Sequence, residues 1–158
     1  MVSKRSPRRA MRGFTITELM IVVAILAVLT AIAVPGMRSL IQTQRLKTAS
    51  FDVYAGLSLA RSEAVKRNTS VTLTPNGGDW AKGWRVADSN GNVVAKQDAF
   101  SQITLSGPDT VTFNSMGRLN GAATQFEVKD ASLDGDKWRC VKLDLSGRPV
   151  TAIGGCPP

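Results

Sequence analysis

One apolar stretch limits what this chain can fold into more than any other feature does. Residues 14–34 contain a single charged residue, Glu18, and three threonines as their other polar groups. At ~1.5 Å rise per residue, a helix over these residues is about 31 Å long, which matches the ~30 Å hydrocarbon core of a bilayer. The stretch therefore predicts a membrane-spanning helix. A carboxylate inside such a helix costs roughly 2.5–3.5 kcal/mol at the bilayer centre, so Glu18, one turn from the start, needs a reason to be there.

The positive charge of the chain is concentrated in front of this stretch. The whole chain carries a formal net charge of +8. Five basic and no acidic residues precede the stretch: Lys4, Arg5, Arg8, Arg9 and Arg12. The remaining 15 basic and 12 acidic residues leave only +3. Because basic flanks stay on the cytoplasmic side, we expect a single-pass protein of the bacterial inner membrane with its N-terminus in the cytoplasm and its C-terminal domain in the periplasm.

The junction between the basic block and the apolar stretch carries a motif. No small-residue cleavage site of the A-x-A type follows the apolar run, so the run is predicted to be retained. The sequence Gly13-Phe14-Thr15-Ile16-Thr17-Glu18, followed by apolar residues, resembles the class III signal of type IV pilins and pseudopilins. This resemblance implies that a prepilin peptidase cleaves between Gly13 and Phe14 and methylates the new amine of Phe14.

Glu18 acquires an assembly role under this interpretation. After cleavage, Phe14 carries a positive amine, and Glu18 of one subunit can pair with the amine of a neighbour, which offsets the desolvation of both charges. The alternative is a carboxylate that reaches the interface from a plain membrane anchor.

A second helical segment is predicted beyond the apolar stretch. Pro35 and Gly36 are expected to break, kink or loosen the helix, because proline removes one backbone donor. Residues 37–68 then show apolar side chains every three to four positions, which form one stripe: Leu46, Ala49, Val53, Leu57, Ala60 and Ala64. Asn68 is a candidate stop, and basic residues precede it as the C-terminal end of a helix favours.

From Ser70 the hydrophobic period changes to two, which is typical of strands. Strand candidates separated by Gly, Pro, Asn and Asp are 71–74, 83–87, 93–95, 103–105, 111–113, 126–128 and 140–145. We therefore predict an α+β type IV pilin-like fold, in which a long N-terminal helix packs on an antiparallel sheet. The predicted parts are a leader (1–13), a transmembrane or filament-core helix (14–34), its amphipathic second half (35–68) and a periplasmic β domain (69–158).

Two cysteines, Cys140 and Cys156, lie near the C-terminal end. In an oxidising compartment they can pair, and closing a loop of this size contributes ~3 kcal/mol in the chain-entropy model. The alternative is two unrelated thiols. The chain has no histidine, which excludes the common zinc sites and histidine-based acid–base chemistry. No cofactor, metal site or catalytic residue is predicted, and the chain is not expected to be an enzyme.

The second half of the sequence resembles one group within the superfamily, the GspH/FimT/FimU minor pilins and pseudopilins. The similarity lies in residues 60–68 at the helix end and in Trp80 followed by residues 83–86. A C-terminal cysteine pair enclosing Gly147-Arg148 is more like the FimT/FimU minor pilins than the GspH pseudopilin.

The tail also raises the question of DNA. FimT-like proteins that bind DNA carry a Gly-Arg-x-Arg motif in this region, whereas here Gly147-Arg148-Pro149-Val150 lacks the second arginine. Arg139, Lys142 and Arg148 are candidate DNA contacts, and a turn in a solvated hairpin accounts for Gly147-Arg148 equally well.

Three functions from different classes follow. The first is a minor pilin of a type IV pilus that contributes to the assembly or tip complex. The second is a minor pseudopilin of a type II secretion system, and the third is a pilus-borne DNA receptor for natural transformation. The expected partners are other major and minor pilins or pseudopilins, contacted through the N-terminal helix, and the prepilin peptidase.

Overall fold

The computed structural model describes residues 14–133 and 135–157, without the side chains of Pro35 and Asp136. It contains one α-helix, α1 (Ile16–Arg67), and one short 3-10 helix (Gly135–Lys137). The strands are β1 (Val71–Asn76), β2 (Asp79–Asp88), β3 (Val93–Gln97), β4 (Thr104–Ser106), β5 (Val111–Phe113), β6 (Thr124–Lys129), β7 (Arg139–Leu143) and β8 (Pro149–Ile153). The chain divides into two units, Met1–Arg38 and Ser39–Pro158, which are described separately.

In the first unit, α1 begins at Ile16, two residues after the start that the sequence analysis gives, and every described side chain in residues 14–34 is exposed. α1 continues as one helix through Pro35 and Gly36, so these residues do not end it. Proline removes only its own hydrogen bond and has a φ compatible with a helix, so the neighbouring bonds can carry the helix past it. Loosening of this point in a filament stays a prediction.

In the second unit, the predicted stripe of α1 forms one side of the core. All six stripe residues are at most 2% exposed. They share one buried cluster with Leu73, Trp80, Trp84, Phe113 and Phe126 from the strands. The spacing of small and large residues along the helix therefore predicts its buried face correctly, since positions three and four apart lie on the same side of a helix.

The strands form two antiparallel sheets rather than the single sheet predicted. One has the order β3-β2-β1-β5 and the other β4-β6-β7-β8. Period-two alternation identifies strands, but it does not specify which strand pairs with which. Strand β8 was missed altogether. It is the edge of its sheet and almost fully exposed, so it has no alternating apolar pattern, and it starts with a proline, which an edge strand tolerates.

The C-terminal end of α1 confirms the predicted stop at Asn68. This residue has a φ of 51°, in the left-handed region. Its N–H donates to the Val65 carbonyl at 3.2 Å, and the Thr69 N–H donates to the Ala64 carbonyl at 3.2 Å. These two bonds form a Schellman motif, which satisfies carbonyl groups that a helix otherwise leaves unpaired.

An ion-pair network holds this helix end to the β2–β3 hairpin. The Arg67 Nε lies 2.6 Å from Glu63 Oε2, and an Arg67 terminal nitrogen lies 3.4 Å from Asp88 Oδ2. Hydrogen bonds from Arg67 and Lys66 lower the pKa of Glu63. A hydrogen bond from the Asn92 side chain is the main reason that the pKa of Asp88 is lowered. Both carboxylates therefore favour their charged form in the folded protein.

Candidate assembly site

The first turn of α1 is built around Thr15 and Glu18. Thr15 immediately precedes the helix, and its hydroxyl oxygen accepts a hydrogen bond from the Glu18 N–H at 3.2 Å. The Thr15 carbonyl accepts the first helical bond, from the Leu19 N–H at 3.2 Å. Thr15 is thus the N-cap, and Thr-x-x-Glu is the spacing of a capping box. The sequence analysis missed this cap, although the spacing of Thr15 and Glu18 was visible.

The negative charge of Glu18 lies in the first turn of the helix. The unsatisfied N–H groups of a helix N-terminus carry a partial positive charge, which a carboxylate in this turn stabilises by roughly 0.3–1 kcal/mol. Glu18 therefore supports the start of its own helix before any subunit contact is made. A role in filament assembly comes in addition to this local role.

The remainder of the segment offers a continuous apolar surface. Large side chains with more than half of their surface exposed include Ile16, Leu19, Met20, Ile21, Ile25 and Leu29. By length and composition, the described helix is apolar enough to cross a membrane. Exposed apolar surface of this extent marks a membrane or protein contact, because a chain in water normally buries such residues.

The predicted processing site is only half described. Phe14 is 82% exposed and directly precedes the capping residue, so its backbone lies outside the helix. Gly13 and the rest of the basic leader (1–13) lie outside the described residues. Cleavage between these two residues and methylation of Phe14 stay predictions.

A disulfide bond joins Cys140 on β7 to Cys156 in the C-terminal tail, as predicted. Two hydrogen bonds hold the same tail along β6. The Cys156 N–H donates to Glu127 Oε1 at 3.1 Å, and the Gln125 side-chain amide donates to the Pro157 carbonyl at 2.9 Å. The tail is therefore fixed to the second sheet by covalent and polar contacts together.

The three candidate DNA contacts do not form one basic surface. Arg139 is only 7% exposed and shares the buried face of β7 with Val141 and Leu143, because alternate residues of a strand point to the same side. One of its terminal nitrogens donates to the Lys137 carbonyl at 2.6 Å and to the Trp138 carbonyl at 3.0 Å. The prediction for Arg139 is therefore corrected: its guanidinium caps carbonyl groups of its own chain.

Lys142 and Arg148 are both exposed but line two different clefts. Lys142 lies beside Gln125 and Pro157, whereas Arg148 faces Tyr54 and Arg61 of α1. Asp144 borders both clefts. A hydrogen bond from the Ser146 hydroxyl at 2.5 Å is the main reason that the pKa of Asp144 is lowered, so a negative charge stands between the two basic residues.

No group of three or more His, Cys, Asp or Glu side chains that could hold a metal ion occurs within the described ranges 14–133 and 135–157. The two clefts carry hydroxyl, amide and charged groups.

Comparison with protein families identifies this architecture. The family model described as Type II transport protein GspH matches residues 49–147, which are 99 of the 158 residues. The chain belongs to the GspH family. A second model, the prokaryotic N-terminal methylation motif, matches residues 8–34 and covers Gly13, Phe14 and Glu18. The two matches include both the apolar segment and most of the β domain of this GspH-family chain.

Relatives of this GspH-family chain are pilins and pseudopilins. Two fimbrial proteins of Pseudomonas aeruginosa are each 29% identical to it, and each alignment covers 94% of this chain and 98% of the relative. The type IV minor pilin FimU of P. aeruginosa has a similar structure, with a TM-score of 0.60 and 24% identity over 69% of this chain and 89% of FimU. The minor pseudopilin EpsH of the Vibrio cholerae type 2 secretion system has a TM-score of 0.56 and 11% identity over 69% of this chain and 97% of EpsH. These structural similarities establish the type IV pilin-like fold.

Proposed function

We propose that this chain is a minor pilin that joins a type IV pilus through residues 14–34 and contributes to pilus assembly without catalysing a reaction. The observation that carries the proposal is the segment 14–34: its helix starts at a Thr15 cap, its described apolar side chains are exposed, and Glu18 is its one charge. A bundle of such helices buries the apolar surface that one copy leaves exposed. Two fimbrial proteins align with this chain over nearly their full length, which supports a pilus as the filament.

The proposed route to the filament follows from the N-terminal sequence. A prepilin peptidase cleaves between Gly13 and Phe14 and methylates Phe14, while the apolar helix holds the protein in the inner membrane with its β domain in the periplasm. The methylation-motif match over residues 8–34 and the exposed position of Phe14 support this route. The basic block before Gly13 supports the orientation.

Glu18 is the proposed registration point between subunits. A carboxylate that enters an apolar bundle unpaired is strongly destabilised, whereas one that meets the Phe14 amine of a neighbour is compensated. A subunit whose Glu18 does not reach an amine is therefore disfavoured in the filament, which fixes its axial position.

The test separates this intersubunit role from helix capping. Glu18→Gln keeps a side chain that can complete a capping box but removes the charge. We expect at least tenfold less of this variant in sheared pili, with normal amounts and a normally processed mass in the inner membrane. Incorporation of Glu18→Gln at the wild-type level would contradict the pairing.

Thr15 provides the matched control. Thr15→Ala removes the cap and costs about 1 kcal/mol at the helix start, while it leaves the charge of Glu18 in place. Thr15→Ser retains a capping hydroxyl. We expect a decrease of about fivefold or less for Thr15→Ala and wild-type incorporation for Thr15→Ser. If Thr15→Ala were as defective as Glu18→Gln, capping alone would account for the phenotype.

The second candidate is a minor pseudopilin of a type II secretion system, which the description of the matching family favours. A deletion strain distinguishes the two candidates. Loss of surface pili and of twitching motility with normal exoprotein release supports the minor pilin, and a selective defect in exoprotein release supports the pseudopilin. A DNA receptor is not proposed, because Arg139 is buried and Asp144 lies between the clefts of Lys142 and Arg148.

A further inference from the structure

Strand β8 (Pro149–Ile153) forms an edge of the second sheet and pairs with β7 in one continuous register. Just beyond the strand, the Gly154 N–H donates to the Trp138 carbonyl at 2.8 Å. In an antiparallel ladder, such hydrogen-bonded pairs alternate with pairs that exchange no hydrogen bonds. Counting back from Gly154, the main-chain N–H and C=O groups of Thr151 and Ile153 therefore point away from β7.

These outward-pointing groups are available to another chain. Within the described ranges 14–133 and 135–157, no hydrogen bond joins the main-chain groups of Thr151 or Ile153 to another element. A row of such groups at a sheet edge is a template for pairing with an added strand. Proteins usually protect such edges with charged residues, bulges or very short strands.

Among the described strands, the other three sheet edges carry this protection and β8 does not. Strand β3 contains Lys96 and pairs with β2 across a register shift, and β4 and β5 have only three residues each. Strand β8 has five residues, none of them charged, and it exposes Val150 (61%) and Ile153 (76%). Pro149 protects only the first position of the strand. Residues 150–153 therefore form an edge that an added strand can extend.

A cleft of about 740 Å³ lies between the start of this edge and α1. The side chains that line it on the helix include Tyr54, Arg61 and Val65. Arg148 and Val150 line it on the strand side, and we call it the Arg148 cleft. An added strand contributes main-chain hydrogen bonds at a sheet edge and places its side chains against the neighbouring surface. The open edge and the partly apolar cleft together therefore favour a protein segment as the ligand.

The charge of the Arg148 cleft indicates which kind of segment fits. Three basic side chains (Arg61, Lys66 and Arg148) and one acidic side chain (Asp144) line it, which leaves a formal charge of +2. Lys66 already pairs with Glu63 at 3.3 Å. Asp144 accepts hydrogen bonds within its own turn, and neither arginine makes an ion pair in the described part of the chain. An incoming carboxylate would therefore find two guanidinium groups to pair with.

We propose that β8 and the Arg148 cleft bind an extended segment of another protein that carries both acidic and apolar side chains. The main chain of the segment pairs with Thr151 and Ile153, and its carboxylates face Arg61 and Arg148. Nucleic acid is a poorer fit, because a phosphate backbone supplies neither the pairing that a strand edge requires nor cover for exposed apolar side chains. This surface is separate from residues 14–34, so the inference does not depend on the proposed function.

The first test uses a fluorescent peptide on the full chain in detergent. The probe is a peptide of about six residues, the usual length of a strand, in which valine and glutamate alternate. The matched peptide has lysine in place of each glutamate. We expect saturable binding of the glutamate peptide, about tenfold or more tighter than that of the lysine peptide, and a smaller difference at high salt. Equal binding of the two peptides, or binding of neither, would overturn the proposal.

Hydrogen exchange separates strand addition from general attraction between charges. In the free protein, the amides of Thr151 and Ile153 should exchange quickly, whereas those of Val150 and Ala152, which face β7, should exchange slowly. The glutamate peptide should slow the exchange of Thr151 and Ile153. Unchanged exchange of these two amides at a saturating peptide concentration would contradict pairing along β8.

Substitutions of Thr151 test the edge itself. Thr151→Pro removes an outward N–H that makes no bond to β7, and an edge strand tolerates proline at such a position. We expect this variant to bind the glutamate peptide about fivefold or more weakly. Thr151→Val keeps the N–H and should bind as the wild type does. If Thr151→Pro also lowers the melting temperature, the exchange of the wild-type amides decides the question.

A second pair of variants tests the charge. Arg148→Gln should weaken binding of the glutamate peptide by about two- to fivefold, as expected for an exposed ion pair. Lys142→Gln removes the same charge from the other cleft and should leave binding unchanged. Equal losses in the two variants would assign the binding to net charge and overturn the proposal. An oligothymidylate that displaces the peptide and binds more tightly would reassign the cleft to nucleic acid.

Discussion

A Cβ atom on Gly147 would overlap the carbonyl oxygen of Gly117 and lie 3.2 Å from Cε1 of Phe113. Gly147 belongs to the turn between β7 and β8, and Gly117 belongs to the turn after β5, so the turns of two different sheets meet backbone to backbone. The Arg61 Nε also donates to the Gly117 carbonyl at 2.9 Å. Close packing thus explains why residue 147 is a glycine, and no role in binding nucleic acid is needed to explain it.

Gly147→Ala should therefore destabilise the fold. Its φ of 76° is unfavourable for alanine by about 1–2 kcal/mol, and relieving the overlap adds a cost of about 1–3 kcal/mol. We expect a total decrease of about 2–5 kcal/mol in the free energy of unfolding, measured by denaturant titration. Gly78→Ala is the matched control, because Gly78 has a φ of 77° and no atom within 4 Å of an added Cβ. Equal losses in the two variants would contradict a steric role for Gly147.

Arg139 should behave as a structural residue. Arg139→Met keeps most of the buried apolar volume but removes the donor to the Lys137 and Trp138 carbonyls. The Trp138 carbonyl keeps its hydrogen bond from the Gly154 N–H. The expected cost is therefore that of the lost hydrogen bonds from the charged guanidinium, about 1.5–3 kcal/mol, which thermal unfolding would detect. Lys142→Ala and Arg148→Ala change exposed side chains and should stay within about 0.5 kcal/mol of the wild type. Salt-dependent DNA binding that Arg139→Met weakens without loss of stability would contradict this assignment.

The disulfide should stabilise the second unit. Cys140→Ser/Cys156→Ser opens a loop with a sequence separation of 16 residues, and we expect a loss of about 3 kcal/mol in the free energy of unfolding. Reductant should lower the melting temperature of the wild type and leave the double variant unchanged. Mass spectrometry should first show that the reductant has opened the bond in the wild type. An unchanged melting temperature of this reduced protein would contradict the prediction.

The ion-pair network at the end of α1 predicts a decrease in stability in acid. The pKa values of Glu63 and Asp88 are lower in the folded protein than in the unfolded chain, where they are about 4.3 and 3.9. Their stabilisation is therefore complete above these unfolded values and is lost as the pH falls through the folded pKa values. We expect the melting temperature to fall more steeply below about pH 4.5 in the wild type than in Glu63→Gln.

Asp52 provides a control for this pH series, because its pKa is shifted in the opposite direction to that of Glu63. Burial raises the pKa of Asp52, so its charge destabilises the fold at neutral pH and its protonation relieves that cost. Asp52→Asn should raise the melting temperature at pH 7, where Glu63→Gln should lower it. Changes in the same direction for both variants would contradict the opposite effects assigned to the two carboxylates.

The sequence predicts the helix, its buried face and its end well, because each depends on local pattern. The buried stripe from Leu46 to Ala64 can be predicted from the helical period of its apolar residues alone. The helix end at Asn68 can be predicted because asparagine tolerates the left-handed backbone conformation. The disulfide follows from two cysteines in a domain predicted to be exported. In each case the prediction depends on residues close together in the sequence or, for the disulfide, on a single pair of cysteines.

Features that depend on distant contacts could not be predicted in the same way. The division into two sheets depends on long-range pairing, because β4 joins the second sheet although β5, which follows it in the chain, joins the first. The burial of Arg139 depends on its lying on the same face of β7 as Val141. The Thr15 cap, by contrast, depends on the local spacing of Thr15 and Glu18, so it could have been predicted from the sequence.

The positions of the two cysteines also set when the domain becomes covalently closed. One lies on β7 and the other follows β8, so the bond forms only once the last hairpin has reached an oxidising compartment. Under the proposed periplasmic location of the β domain, the oxidation state of this pair records whether the last hairpin has crossed the membrane. Thiol labelling at successive times would follow export of individual molecules, without any need to observe a filament.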